Sequence, residues 1–206
     1  MRPMQCIELS QIDGSAQSEL LTIARQAIRN GMERPDSSSP TIPDITSCQP
    51  SIRKPGCAFV TLLKNGELRG CIGALKAQQA LACDVAEHAR AAAFRDPRFP
   101  PLRAEELPQI RIAISVIGPT EAFPVQSERD LLDQLRPFKD GLILELDDPH
   151  SHISATFLPS VWEQLPSPPK FVNALKRKAG LPEVFWSKNL QFKRYTTLSF
   201  SEPESR

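Results

Sequence analysis

Two apolar runs, Ala58 to Leu63 and Leu68 to Leu75, flank Lys64-Asn65-Gly66-Glu67, and this arrangement constrains the fold more than any other stretch of the chain. Asparagine and glycine tolerate the positive φ angles at both centres of a type I′ turn, whose twist matches that of paired strands. The stretch therefore reads as an antiparallel hairpin. A two-residue turn predicts Glu67 opposite Lys64, Arg69 opposite Leu62 and Cys71 opposite Val60. Side chains alternate along a strand, so Arg69, Cys71 and Gly73 are expected on one face, and Leu68, Gly70, Ile72 and Ala74 on the other.

The rest of the chain divides around this hairpin. Leu20, Ile23, Ala24, Ala27 and Ile28 recur at helical spacing, which predicts a helix over 16–30 with Gly31 as its C-cap. Residues 32–56 are rich in proline and serine and read as a long connection. A second helix is expected from about Gln78 to Arg95, with Leu81, Val85, His88, Ala89, Ala92 and Ala93 on one face. Asp96-Pro97 ends it, because proline has no amide donor and disfavours helix in the residue before it. Leu102 to Leu107 reads as a short helical turn.

Ile110 to Ile117 alternates as a strand. Ser127 to Leu135 reads as a helix with Ser127 as N-cap. Strands are expected at 142–146 and 153–157, and helices at 159–165 and 168–179, the latter closed by Gly180. A last strand is expected over 190–200, with Leu190, Phe192, Leu198 and Phe200 on one face. The 20 prolines cluster at the ends of these elements. Hairpins without strict strand–helix alternation predict an α+β fold: an antiparallel or mixed sheet with packed helices, plus a smaller lobe, in one domain with a core over about 16–200.

Charge and cysteine content narrow the function classes. With 25 basic and 24 acidic residues the formal net charge is +1, so no long-range attraction to nucleic acid or anionic lipid is expected. No stretch approaches the roughly 20 apolar residues of a membrane span, and the N-terminus lacks the apolar core of a secretory signal. The expected compartment is the cytoplasm. Cys6, Cys48, Cys57, Cys71 and Cys83 are odd in number and form no Cys-x-x-Cys pair. They read as reduced thiols rather than a disulfide frame or zinc cluster.

Leu68-Arg69-Gly70-Cys71-Ile72-Gly73 resembles the signature hexapeptide of the AMMECR-one domain family, in the branch called AmmeMemoRadiSam system protein A. Three further blocks resemble the family in the same order: Ala91 to Leu102, with Phe94-Arg95-Asp96-Pro97-Arg98-Phe99 at its centre; Ile112-Ala113-Ile114-Ser115-Val116; and Ala155 to Trp162 with Leu175 to Leu181. The resemblance implies an α+β fold with a smaller lobe. It also implies a setting in which the protein works with a Memo-like protein and a radical SAM protein. The chain has no Cys-x3-Cys-x2-Cys pattern, so it is not itself the radical SAM member. One departure stands out. Relatives often carry a basic residue before the Ala-Thr-Phe-Leu-Pro run, where this chain has Ile153-Ser154.

Several residues are candidates for chemistry. Two residues apart along a strand, Arg69 and Cys71 have backbones about 6–7 Å apart, and a guanidinium near a thiol favours the thiolate. Arg69 and Cys71 are thus a candidate catalytic pair; the competing reading makes Cys71 a small buried residue, with Arg69 bridging to a carboxylate and the glycines serving close packing. His88 reads first as a hydrogen-bonded histidine at the core edge, with a role as base toward Cys71 as the alternative. Leu68 to Gly73, with Arg95, Asp96, Arg98 and Phe99 in the loop after the helix, form a candidate surface for a partner or a small-molecule ligand. His150 and His152 with Asp147 and Asp148 are metal-ligand types without a telling spacing, and no metal or cofactor is assigned. Three functions are weighed: a partner-dependent component, an enzyme using Cys71, and a regulatory or nucleic-acid-binding factor. The absence of an aromatic RNA-binding pattern counts against the last.

Overall fold

A computed structural model describes residues 7–33, 43–148 and 151–203. In chain order its main elements are α1 (Gly14–Glu33), β1 (Pro55–Gly56), β2 (Ala58–Lys64), β3 (Glu67–Gly73), β4 (Gln79–Ala80), α2 (Leu81–Phe94), β5 (Ile110–Ile117), β6 (Glu121–Ala122), α3 (Glu128–Gln134), β7 (Gly141–Asp148), β8 (Ser151–Phe157), α4 (Pro168–Lys178), β9 (Leu190–Tyr195) and β10 (Thr197–Ser201). Helices and antiparallel sheets together make the α+β class expected from the sequence. The chain separates into two compact units, Met1–Gly118 with Leu198–Arg206, and Pro119–Thr197.

The larger unit holds a four-stranded sheet of order β10-β5-β2-β3. Asn65 and Gly66 have φ of 52° and 82°, as a type I′ turn requires. Val60, Leu62, Ile112, Ile114 and Val116 are fully buried and share a core with Leu20, Ala24 and Ile28 of α1 and Ala82, Val85, Ala89 and Ala92 of α2. Each large aliphatic side chain so buried contributes roughly 1.5–3 kcal/mol. The small side chains of α2 allow it to lie close on the sheet. A Cβ at Gly70 would stand 2.2 Å from the carbonyl oxygen of Ala92, so β3 passes this helix only because position 70 has no side chain.

The smaller unit holds a second four-stranded sheet, of order β6-β9-β7-β8. Its core stacks Trp162 on Phe171, with ring centroids 3.8 Å apart, and adds Leu131, Leu142, Leu144, Leu175 and Phe192. Lys176 is fully buried here. Its Nζ donates to Glu128 Oε1 at 2.8 Å and to the carbonyl of Glu183 at 2.7 Å, and these bonds satisfy the buried ammonium.

Three local expectations change. Gly31 lies inside α1 rather than capping it, and its bare face meets the Phe94 ring and the Arg90 stem. The expected strand 190–200 is two strands in two sheets. Burial falls on Leu190, Phe192 and then Tyr195, a shift of phase that ends β9, and exposed Thr196 separates it from β10. The hairpin register also differs, with consequences for the site. Of the long connection, residues 34–42 lie outside the described residues, and 43–54 form successive turns.

Candidate functional site

The signature hexapeptide occupies β3, the edge strand of the larger unit's sheet. Lys64 pairs with Glu67 and Leu63 with Leu68, but Leu62 pairs with Gly70, so Arg69 is an extra residue in a β-bulge. Beyond the bulge every partner moves by one, and Cys71 stands opposite Thr61, not Val60. The expected pairings of Arg69 with Leu62 and Cys71 with Val60 are therefore corrected. The cause is the bulge, which lets Gly70 meet α2 while Arg69 turns to another partner.

That partner is Glu106, in the helical turn Ala104–Gln109. Arg69 Nε donates to Glu106 Oε1 at 3.1 Å and Nη2 to Oε2 at 3.0 Å, with the Arg69 side chain only 11% exposed. Lys64 Nζ joins at 2.9 Å and the N–H of Arg103 at 3.1 Å. The Arg69 hydrogen bonds hold the Glu106 carboxyl down at about 2, against the opposing pull of burial and with help from Arg103 and Lys64. Arg69 is thus committed to a carboxylate.

The loop after α2 closes the open edge of β3. Asp96, 4% exposed, accepts the Cys71 N–H on Oδ2 at 2.8 Å. The same carboxylate accepts the main-chain N–H of Arg98 at 3.1 Å and its guanidinium at 3.0 and 2.7 Å. Arg98 Nη2 in turn donates to the Cys71 carbonyl at 3.3 Å. Two side chains therefore engage the outward N–H and C=O of one edge residue, as a neighbouring strand would. The Arg98 guanidinium holds the Asp96 carboxyl far below the usual carboxylate range, with burial opposing and the Cys71 and Arg98 amides assisting. Phe99 lies 5.9 Å from the Arg69 guanidinium and 5.5 Å from that of Arg98.

Cys71 is half-buried, and its Sγ accepts from Thr61 Oγ1 at 3.2 Å. The Arg98 pKa is raised, chiefly by its hydrogen bonds to Asp96, with burial opposing and a smaller contribution from Cys71. A Cβ at Gly73 would come within 2.4 Å of the Phe59 ring and 2.5 Å of the Ala58 carbonyl. Gly70 and Gly73 thus serve close packing, and the space beside each is filled by the chain itself.

His88 goes elsewhere. Its Nδ1 is 3.1 Å from Asp84 Oδ2, and that buried oxygen also accepts the N–H of Ala58 at 2.9 Å. Burial alone would lower the His88 pKa, but the Asp84 hydrogen bond and the charges of Asp84 and Glu87 outweigh it and raise it. The helix bearing His88 packs on the Gly70 face of the sheet, whereas the Cys71 thiol shares the Thr61 face. Leu68 is 43% exposed, Ile72 leans on the core, and Arg95 is exposed just past α2. The structure therefore brings together Arg69, Cys71, Asp96, Arg98 and Phe99. Sequence reasoning missed Glu106 and Thr61. Thr61 could have been found by allowing a bulge in the hairpin, while Glu106 carries no local signal.

In the 147–152 hairpin His152 Nδ1 lies 2.6 Å from Asp147 Oδ1, with both side chains more than half exposed. His150 lies outside the described residues. Among the described residues no three histidine, cysteine, aspartate or glutamate side chains gather as a metal site. Among them, too, no helix is long and apolar enough to cross a membrane.

The α+β arrangement of helices on antiparallel sheets belongs to a class of protein that comparison names. The chain belongs to the AMMECR1 family, whose family model matches residues 21–200. A protein of Methanothermobacter thermautotrophicus is 33% identical over 205 residues, covering 97% of this chain and 99% of its own. A Saccharolobus islandicus protein is 32% identical over 205 residues, covering 95% of this chain and 86% of its own. The crystal structure of an uncharacterised Pyrococcus horikoshii protein superposes with a TM-score of 0.82 at 26% identity, covering 93% of this chain and 94% of that one.

Proposed function

We propose that this chain is a partner-dependent component that docks a Memo-like protein and a radical SAM protein along the β3 edge. One observation carries the reading: the signature's charges are paired within the chain while its outer rim stays available. Arg69 is held by Glu106 and Asp96 by Arg98, yet Leu68 is 43% exposed and the Arg98 side chain 54% exposed on the same edge. A rigid scaffold presenting an apolar side chain beside a cation suits recognition, because little order is lost on binding. Isothermal calorimetry with each partner tests it. Leu68→Asp and Arg98→Ala are expected to weaken binding about tenfold, while Cys71→Ser binds as the parent does. Parent-like binding by the first two variants, with the fold intact, rules out this surface.

A second reading makes Cys71 a reactive thiol, and the Thr61 hydroxyl at 3.2 Å favours it. A donor to sulfur stabilises thiolate over thiol. Alkylation of the native protein across pH, read by peptide mass spectrometry, tests this. A reactive Cys71 that slows in Thr61→Val but not in Arg69→Ala supports it. A Cys71 inert until unfolding ends it.

A further inference from the structure

The smaller unit carries an aromatic side chain held outward by a turn that the fold itself does not need it for. Arg136-Pro137-Phe138-Lys139 form a tight turn in which the N–H groups of Lys139 and Asp140 donate to the Arg136 carbonyl at 3.2 and 3.0 Å. Proline second and positive φ third is the pattern of a type II turn, whose third position favours glycine or asparagine. Phe138 occupies it with φ of 62°. Positive φ is an outlier for a bulky residue, because its Cβ crowds the backbone. Burial of the ring does not offset this, since Phe138 is 60% exposed.

The turn is braced from beneath. Asp140, fully buried, accepts the Arg136 N–H at 2.9 Å and the Arg136 guanidinium at 3.0 and 2.7 Å, and its carbonyl accepts the Trp162 indole N–H at 2.7 Å. The core tryptophan and the buried carboxylate therefore fix the turn, and the turn fixes the ring's direction. Backbone strain at a braced, exposed position points to a contact made outside the fold. A lone exposed aromatic would not.

We propose that Phe138 is a docking anchor that inserts into an apolar pocket on a partner protein, and that carboxylates rim that pocket. The rim is inferred from charge: exposed Lys139 follows the ring, while the neighbouring Arg136 guanidinium is held by Asp140. Phenylalanine is enriched at protein interfaces, and the side chains that carry most of their energy fill desolvated pockets. The inference rests on the partner-dependent reading above but concerns a separate surface, in the smaller unit.

The test is binding of the Memo-like and radical SAM proteins to the full chain, with thermal unfolding measured in parallel. Phe138→Gly suits the turn better, so its Tm should stay level or rise while affinity for one partner falls about tenfold. Lys139→Glu should weaken the same partner, and Lys139→Arg should restore it. Phe138→Gly binding both partners as the parent does overturns the anchor. If Leu68→Asp weakens binding in that case, the partner-dependent reading survives without it. If the parent chain binds neither partner, both proposals fall.

Discussion

The Asp96 carboxylate accepts the main-chain N–H of Cys71 at 2.8 Å from outside the sheet, while its ion-pair partner Arg98 donates to the Cys71 carbonyl. The signature cysteine is thus held by its backbone on the outer side and faces Thr61 with its thiol. An edge strand whose polar groups are engaged in this way is protected from pairing with another chain.

Replacing Asp96 by alanine strands the Cys71 N–H and removes the partner of Arg98. Hydrogen bonds to a buried charged group are worth about 1.5–3 kcal/mol each, so Asp96→Ala should destabilise the protein by about 2 kcal/mol or more. Urea unfolding measures it. A loss within about 0.5 kcal/mol of zero, the range of ordinary surface changes, would show that the strap contributes little.

Acid should weaken the same region. Glu106 titrates at about 2 in the folded protein, against roughly 4.3 when unfolded. A carboxyl lowered by folding stabilises above its unfolded value, and that contribution is lost as pH falls through the folded value. Stability should therefore fall between about pH 4 and pH 2, and Glu106→Gln should flatten this part of the curve. Asp96, also lowered, extends the loss to lower pH.

His88 works in the opposite sense. Its pKa is raised by Asp84 and Glu87 against the effect of burial. Its stabilisation is complete below the unfolded value of about 6.5 and is lost as pH rises through the raised folded value. His88→Gln should remove the slope of stability above about pH 6.5. An NMR titration of the imidazole giving a midpoint below the unfolded value would contradict the assignment.

Gly70→Ala places a Cβ 2.2 Å from the Ala92 carbonyl oxygen. Backbone, not a flexible side chain, must move, so a cost of about 1–3 kcal/mol or more is expected by thermal or urea unfolding. Unchanged stability would mean that α2 and β3 can separate without penalty.

Local patterning determined much of this protein. Alternation in Val60–Leu62 and Ile110–Val116, the helical spacing of Leu20 to Ile28, and the positive φ of Asn65 and Gly66 depend on near neighbours, so the α+β class and the hairpin were legible directly. The same dipeptide at Asn30-Gly31 lies within α1, because there the helix face and the Phe94 ring outweigh the turn preference. Tertiary structure alone decided the rest. The bulge at Arg69 exists because Gly70 must clear Ala92 and Arg69 must reach Glu106, 37 residues away. The strand break at Thr196 separates Phe192, which packs in the smaller unit's core, from Leu198, which packs on the larger unit's core. Contacts between residues distant in sequence leave no local period, so only the folded chain shows that the signature arginine is paired with Glu106 and that Arg98 donates to the Cys71 carbonyl.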